Sequence, residues 1–482
     1  MRIALEPDSS SPNTAKKKGQ VTLARRLTLL DATLIVVGGV IGSAIFITPA
    51  DVARQIPNPM FCLLLWVVAG LVALLAGFAF AELGSMFPEA GGQYVYIREA
   101  YGHVAAFIYG WVLFTAGNSA GLAGVAMGFA LFVGKVVSPL SAETVLYSHA
   151  VLPGVIWHFT RGSLVAIVSI VLLSLVNMRG VKLAAILQNF TGLLTLACVG
   201  LMAALGLTLG KGSWSHFTTA PSVSAWPPLS AIGIAFVALF WTYDGWNIIS
   251  WVAGEIKEAE RNLPRAMILG IVLVILTYVS ANVVFIYAMP MALLARQTTL
   301  AQAAVSVLFS DNMGRLVSLL IAVSCFGSMS VVILGGARVY YAMAKDGVFF
   351  PSLKTLHPRW RTPIVSLVAQ CIWVCVLTAS GGYEQIYTCF TFMMTATYAL
   401  TVGAVFILRR TRPEAARPYH CFGYPWLPAL YLLIAIVFLV NTLVQRPVES
   451  LAGLLLALTG IPAYYYWRHS AARRTELGQR IS

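Results

Sequence analysis

Charge is scarce in this sequence: Asp, Glu, Lys and Arg make up 10% of its 482 residues, whereas hydrophobic residues make up 59%. A soluble domain carries about 25% charged residues, so a soluble globular protein is excluded, and the mean hydropathy of +0.81 agrees. Cysteine is nearly confined to apolar stretches: Cys62, Cys198, Cys325, Cys371, Cys375, Cys389 and Cys421 fall there or in loops assigned below to the cytoplasm. No disulfide framework is implied. Cys371 and Cys375 lie one helical turn apart, but no His or carboxylate accompanies them, which argues against a metal site. The seven histidines (His103, His149, His158, His216, His357, His420 and His469) sit at the ends of apolar stretches or in loops. That leaves no polar cluster at mid-depth for a membrane-embedded enzyme. The first 20 residues are polar and contain no apolar core, so no cleavable signal peptide is expected and the first apolar stretch itself directs insertion.

What is present is a succession of apolar runs about 20 residues long, the length that spans a bilayer as a helix. Twelve segments are expected, at roughly 31–54, 60–82, 103–134, 164–180, 182–209, 226–253, 265–289, 313–345, 363–379, 385–408, 427–444 and 451–467. They predict an all-α polytopic membrane protein. The net charge of +14 comes from 32 Lys and Arg against 18 Asp and Glu. With Lys16, Lys17, Lys18, Arg25 and Arg26 in the cytoplasm, an even number of segments returns Arg473 and Arg474 to the same side. All basic residues but Arg54, Lys135, Arg161, Lys211, Arg296, Arg315 and Arg446 are then cytoplasmic. This positive-inside asymmetry accounts for the charge without a nucleic-acid partner.

Two segments break their own apolar pattern. Segment 1 carries "GGVIGSAIFITP", Gly38 to Pro49, where the middle and far end of a spanning helix belong; segment 6 carries Thr242, Tyr243, Asp244, Gly245 and Asn247 at mid-depth. Irregular backbone is tolerated in hydrocarbon only where protein buries it or a wet cavity lines it. The two breaks lie five segments apart, the spacing of an inverted repeat whose discontinuous helices meet at a substrate site. At such a site the amides of Gly42, Ser43 and Ala44 suit a carboxylate, while carbonyls around Ile41 and from Phe240 to Tyr243 suit an ammonium. Gly38 and Gly42 also fit a close-packing seam between helices. A seam explains segment 6 poorly, because a carboxylate at mid-membrane is costly. Asp244 either faces the site and attracts a cationic side chain, or caps the second half of segment 6 on the amides of Trp246 or Asn247. The apolar Ile41, Ile45 and Phe240 favour neutral substrate side chains.

The connecting stretches add mechanics. Pro88 and Gly91-Gly92 stop the helix of segment 2, after which Tyr94, Tyr96 and Ile97 open a short amphipathic stretch, either an interfacial helix anchored by tyrosines or part of a gate. The stretch "MALLARQTTLAQAAVSVLFSDNMG" is apolar enough to fold over the external face, as a lid or a packed loop. Glu255, ending segment 6, is expected to pair with a basic residue of segment 8, Arg338 first, because a lone charge inside the bundle is expensive.

Five stretches, "GGVIGSAIF", "FAELGSMFPEAGGQYVYIREAYG", "LFWTYDGWNIISWVAGEIKEAERNLPRAM", "VSCFGSMSVVILGGARVYYAMAKDGVFFP" and "LRRTRPEAARPYHCFGYPWLP", occur in the order of the signatures of the amino acid-polyamine-organocation superfamily. They most resemble its L-type amino acid transporter branch, over about residues 27 to 430. The resemblance implies a five-plus-five inverted-repeat fold with two extra helices, working by alternating access. It implies residues 1–26 as a cytoplasmic tail and 27–470 as one membrane domain. That domain holds repeats at about 31–209 and 226–408 and extra helices at about 427–467, and 471–482 forms a second cytoplasmic tail. In the family the substrate carboxylate lies on the amides of a "GSG"; here Gly42 and Ser43 match, and Ala44 departs with a methyl that crowds the substrate. Trp241 matches the aromatic that closes the external side. Asp244 stands where many neutral-specific members have glycine and some members that also accept cationic substrates have aspartate. Many members place a lysine in segment 5 where this chain has Thr195. Thr195 and Ser324 are therefore a candidate cation or water site, or hydroxyls bonded to their own backbone. The loop between segments 3 and 4 contains no cysteine, so the disulfide-linked heavy chain of eukaryotic members is not expected.

The resulting expectation is a secondary transporter of L-amino acids in the cell or inner membrane, with both termini cytoplasmic. It works by exchange or by uptake coupled to sodium or protons and holds no resident cofactor. A cationic amino acid or polyamine substrate is the second reading, kept alive by Asp244. An amino-acid-sensing receptor on the same fold is the third.

Overall fold

The structure, a computed structural model, describes residues 22–152, 155–218, 227–380 and 383–481, with side-chain surroundings given for all of these except 150–152, 155–156, 383–388 and 471–481. Lys16, Lys17 and Lys18 lie outside the described residues. The described chain is helical apart from one hairpin, and nine helices are long and apolar enough to cross a membrane. They fall on segments 2, 3, 4, 5, 7, 8, 10, 11 and 12 of the sequence. Segments 1, 6 and 9 hold shorter apolar helices, Leu29–Val40, Leu229–Thr242 and Ile364–Ser380.

The two shorter helices of segments 1 and 6 end where the sequence breaks. Leu29–Val40 starts on a capping box, in which Thr28 accepts the Asp31 amide and Asp31 reaches back to the Thr28 amide. It stops at Ile41, and after two irregular residues the chain resumes as one 3₁₀ turn, Ala44–Phe46, and the helix Pro49–Gln55. Leu229–Thr242 stops at Tyr243, and the chain resumes at Ile248–Trp251 and Ala253–Glu255. Between them Gly245 has φ +105°, a conformation that a Cβ would strain.

The glycines explain how closely these main chains approach. A Cβ on Gly245 would stand 2.2 Å from the Gly39 carbonyl oxygen, and one on Gly39 would stand 2.7 Å from that of Gly245. The two breaks therefore cross with backbone against backbone. Gly38 is a seam residue of another kind: the Gln188 side chain, which donates to the Leu34 carbonyl at 3.0 Å, fills the space where its Cβ would be. Segment 2 uses the same device against segment 7, where Gly70, Gly77 and Gly84 receive the side chains of Ile275, Ile271 and Leu263. Water does not drive helices together inside lipid, so small residues that allow close contact do it instead.

Lipid-facing positions such as Leu201, Leu276, Ile372, Leu433 and Val440 are exposed, while the interior is dominated by side chains such as Trp66, Tyr96, Tyr278 and Tyr340. Three connecting stretches differ from or sharpen the sequence reading. The loop after segment 3 forms an antiparallel hairpin, β1 (Val145–Leu152) and β2 (Val155–Thr160), which the sequence did not signal. The stretch 290–310 folds into Met291–Leu294 and Leu300–Leu308, whose Leu300, Ala301, Ala304 and Leu308 are buried. The helix Gln93–Tyr101 is not anchored at an interface by its tyrosines: Tyr94, Tyr96 and Ile97 are fully buried. Its start is stitched to segment 6, with the Gly91 amide donating to the Trp251 carbonyl at 3.0 Å.

The crossing of the breaks leaves no room for a methyl group. Gly245→Ala is expected to lose all transport and most of the folded protein. The left-handed conformation alone costs about 1–2 kcal/mol and the carbonyl contact adds to it. Thermal unfolding in detergent checks this, and a wild-type melting temperature would refute the crossing.

Candidate functional site

The two breaks open onto a cavity of about 60 Å³ lined by Gly42, Ser43, Ala44, Trp241 and Asp244, and also by Asn118, Val125, Ser328, Phe390 and Met394. Its segment 1 wall is a set of main-chain donors. The Gly42 amide is taken by the Val40 carbonyl at 2.9 Å. The amides of Ser43, which caps the 3₁₀ turn, and Ala44, its first residue, have no backbone acceptor among the described residues. Unpaired helix-start amides make an anion site. Gly128 of segment 3 lies so close to Ser43 that a Cβ there would stand 2.3 Å from its hydroxyl oxygen.

The carbonyl side is more occupied than the sequence implied. The hydroxyl of Tyr278, in segment 7, lies 2.9 Å from the Val40 carbonyl oxygen and 3.0 Å from that of Thr242, and donates across both helix ends. The Trp241 carbonyl accepts the Asp244 amide at 3.2 Å, and the Ile41 carbonyl accepts Ser324 Oγ at 3.4 Å. Freed carbonyls are thus satisfied largely by protein, as hydrocarbon surroundings demand; those of Val40 and Trp241 each accept two donors, and those of Ile41 and Thr242 keep a second lone pair.

Several residues selected from the sequence do not line this cavity. Ile41, the residue that ends the helix Leu29–Val40, and Ile45, within the 3₁₀ turn, are both buried in the core. The Thr242 hydroxyl returns to the Ala238 carbonyl at 2.7 Å. Tyr243 turns into the core toward segment 2, its hydroxyl donating to the Trp66 carbonyl at 2.9 Å, and Phe240 packs edge to face on Phe236 and tilted against Phe438. Phe240 and Tyr243 line instead a second cavity of about 40 Å³, together with Tyr398 and Tyr431. Asp244 lies in the wall shared by the two cavities. Its carboxylate does not cap Trp246 or Asn247; it accepts the Gly245 amide and the Tyr398 hydroxyl.

Sequence reasoning missed the contributions of segments 3, 8 and 10. Segment 3 widens into one π-type turn, Leu113–Gly117, immediately before Asn118. Such turns often mark functional sites, and the local "TAGNSAG" was the available signal. Ser328 of segment 8 is the last residue of the "CFGS" motif, and its hydroxyl is buried without a hydrogen-bond partner among the described residues. Thr195 and Ser324 are both buried, and the Thr195 hydroxyl donates to the Thr191 carbonyl at 2.8 Å, the local bond that hydroxyls on membrane helices commonly make.

Two boundaries enclose the cavity. Trp241 and Phe390 pack edge to face at 4.9 Å and, with Ser43 and Ala44, separate it from an outer cavity of about 440 Å³ that reaches Asp51, Ala142 and Glu143. On the opposite side, Arg338 meets Glu255 at 2.7 Å with both side chains buried. The Glu255 carbonyl also accepts the Arg26 and Leu27 amides at 2.8 and 2.9 Å, and the Leu27 carbonyl accepts the Lys257 amide at 2.9 Å. This short ladder ties the lead-in of segment 1 to the end of segment 6.

Paired broken helices around a central cavity, with a wider space on one side and a buried ion pair on the other, are the architecture of a polytopic membrane transporter. The profile of the family described as amino acid permease matches residues 27–461. The chain belongs to the amino acid permease family and is an integral membrane amino acid transporter, not an enzyme. It is 29% identical over 472 residues to the human "Large neutral amino acids transporter small subunit 2", covering 95% of this chain and 84% of the relative. It is 28% identical to "Serine/threonine exchanger SteT" of Bacillus subtilis (strain 168), covering 92% and 97%. It is 27% identical to the mouse "b(0,+)-type amino acid transporter 1", covering 98% and 94%. These relatives bear out the L-type branch that the motifs resemble.

Two variants follow from the boundaries. Trp241→Ala is expected to lower turnover far more than it changes the ranking of substrates, because the ring covers the cavity and adds little directional bonding; an unchanged rate counts against the role. Removing either Glu255 or Arg338 strands a buried charge, which costs about 3–5 kcal/mol. Each single substitution should therefore impair transport strongly, and the swap Glu255→Arg with Arg338→Glu should restore part of it.

Proposed function

We propose that this permease carries neutral L-amino acids through the cell membrane by alternating access and accepts cationic ones as secondary substrates. The observation that carries this reading is that Ser43 and Ala44, whose amides have no acceptor among the described residues, and Asp244 line one central cavity. The amides suit the α-carboxylate common to all amino acids. The second lone pairs of the Ile41 and Thr242 carbonyls, at the two helix ends beside the cavity, suit the α-ammonium. The apolar walls at Val125, Phe390 and Met394 suit neutral side chains, and Asp244 suits the ammonium or guanidinium of a cationic one. The relatives' printed names, large neutral amino acids and serine/threonine exchange, support the neutral assignment.

In this reading residues 31–209 and 226–408 are the two inverted repeats, 427–467 the extra helices, and both termini are cytoplasmic. The chain works without a disulfide-linked heavy chain, since the loop carrying the hairpin contains no cysteine. Transport is exchange, or uptake coupled to sodium or a proton, with Thr195 and Ser324 the candidate cation or water site. Counterflow in proteoliposomes with and without sodium and a pH gradient separates these. Accumulation of labelled substrate in the same vesicles separates transport from sensing.

Asp244 also supports a second reading, a cationic amino acid or polyamine substrate. Polyamines have no carboxylate and would leave the Ser43 and Ala44 amides unpaired, which disfavours them. Two measurements decide. Esterified or decarboxylated amino acids should fail to compete with the parent compounds; equal competition overturns the carboxylate assignment. Asp244→Asn should abolish transport of Lys and ornithine while leaving neutral substrates within about threefold, since the amide keeps most of the hydrogen bonding and loses only the charge. Equal loss of both classes would reduce Asp244 to a structural role.

A further inference from the structure

The two groups of cations at the proposed cytoplasmic face are treated differently by the fold. Beside segments 2, 8 and 10 four arginines are neutralised: Arg98 by Asp346 at 2.7 Å, Arg409 by Glu82 at 2.6 Å, Arg412 by Glu99 at 2.7 Å and Arg417 by Glu82 at 3.5 Å; the exposed Arg410 has no ion pair among the described residues, but it lies in the midst of these carboxylate-paired neighbours. Between segments 4 and 5 and between segments 8 and 9 lie Arg179, Lys182, Lys354, Arg359 and Arg361, all exposed. None of these five forms an ion pair among the described residues. The sequence offers them no local acid either, since residues 161–188 and 351–366 contain no Asp or Glu.

These charges are held together by a built turn. Thr362 Oγ donates to the Met178 carbonyl at 2.9 Å, and the Trp360 carbonyl oxygen lies 3.9 Å from where a Cβ of Gly180 would stand, so the two loops touch. His357 organises the second loop. Its amide donates to the Thr362 carbonyl at 2.9 Å and its carbonyl accepts the Arg361 amide at 2.8 Å. Its Nδ1 accepts the Arg359 and Trp360 amides at 3.3 Å each, and its ring stacks on Trp360 at 4.3 Å. Arg361 is held at φ +54°, a left-handed conformation that a non-glycine residue keeps only where its surroundings enforce it. Charges that merely set topology need a number and a side. They do not need a strained, internally bonded turn that holds like charges side by side.

We propose that this turn binds the phosphate headgroup of an anionic phospholipid of the cytoplasmic leaflet, with Arg179, Lys182, Arg359 and Arg361 supplying the charge and Trp360 resting at headgroup depth. Juxtamembrane cations attract anionic lipid by about 1 kcal/mol each, or roughly a fivefold change in affinity per charge. Interfacial tryptophan fits that depth. The proposal rests on the cytoplasmic placement of these loops given above. No carboxylate in either loop opposes a phosphate, unlike the paired arginines across the face.

The test uses the full chain in phosphatidylcholine nanodiscs with and without phosphatidylglycerol, with retained lipid read by native mass spectrometry. Wild type should retain phosphatidylglycerol. The double variant Arg359→Gln with Arg361→Gln should retain it at least about tenfold less at equal lipid, and Arg359→Lys with Arg361→Lys should keep most of it. Equal retention by wild type and the Gln pair overturns the proposal. Pro358→Cys in cells reports the topology: labelling by an impermeant maleimide only after permeabilisation supports the cytoplasmic placement, and labelling of intact cells overturns both the placement and the lipid site. Cytoplasmic labelling with equal retention overturns the lipid site alone.

Discussion

The contact between the Gly39 and Gly245 main chains is the constraint on which the rest of the site depends. Two helices interrupted at mid-depth release amides and carbonyls into a region where water is scarce, and each unpaired group costs about 1–3 kcal/mol. Crossing the interruptions at van der Waals distance lets one tyrosine, Tyr278, serve both: its hydroxyl sits between the Val40 and Thr242 carbonyls, which belong to different helices. A wider crossing would need separate donors. The crossing also brings the Ser43 and Ala44 amides into the same cavity as Asp244, so two breaks remote in sequence produce one site.

Because the crossing binds segments 1 and 6 to each other, the transport cycle proposed above has to move them relative to segments 3, 8 and 10. The fastenings to those segments are unequal. In the proposed orientation the outer side is covered mainly by the Trp241–Phe390 contact, beyond which lies a space several times larger. On the proposed inner side the Glu255–Arg338 pair holds segment 6 to segment 8, while the Arg26 to Lys257 ladder keeps the lead-in of segment 1 with the end of segment 6. Each ladder bond is worth about 0.5–1.5 kcal/mol net. A buried ion pair is close to neutral overall but costly to half-break. Inward opening is therefore favoured to proceed only if both charges reach water together, which makes the pair a cooperative fastening rather than a strong one.

The sequence was legible where hydrocarbon imposes a rule. Apolar runs separated by charge marked the helices. Glycines and Asp244 at mid-depth marked both breaks, and an unpaired Glu255 inside a bundle called for a partner, which Arg338 supplies. It was less legible where direction matters. Ile41, Ile45, Thr242 and Tyr243 adjoin the breaks in sequence, but a 3₁₀ turn and a helix end rotate them away, and no period of 3.6 survives in an irregular stretch to show it. Segment 3 contributes Asn118 and Val125 beyond one widened turn, whose only sequence signal is the polar and small-residue run "TAGNSAG" inside an otherwise apolar helix. The buried tyrosines of Gln93–Tyr101 mimic the pattern of an interfacial helix, because a helix covered on one face by protein or by lipid reads alike.

A site whose charged recognition is mostly main chain has a consequence for selectivity. Amides and carbonyls bind what every amino acid shares, so they set affinity for the class and discriminate little within it. Discrimination falls on the walls, where Val125, Phe390 and Met394 are apolar and deformable while Ala44 adds a methyl to the segment 1 wall. Only Asp244 carries charge among the residues lining that cavity, and it is not free to swing toward any ligand: the Gly245 amide and the Tyr398 hydroxyl already hold its oxygens. A cationic side chain gains only what the remaining lone pairs offer, and only if it reaches the wall between the two cavities. A neutral side chain leaves those hydrogen bonds intact and gives up little. In the function proposed above, this geometry orders the two substrate classes, neutral first and cationic second, with the tether on Asp244 setting the gap between them.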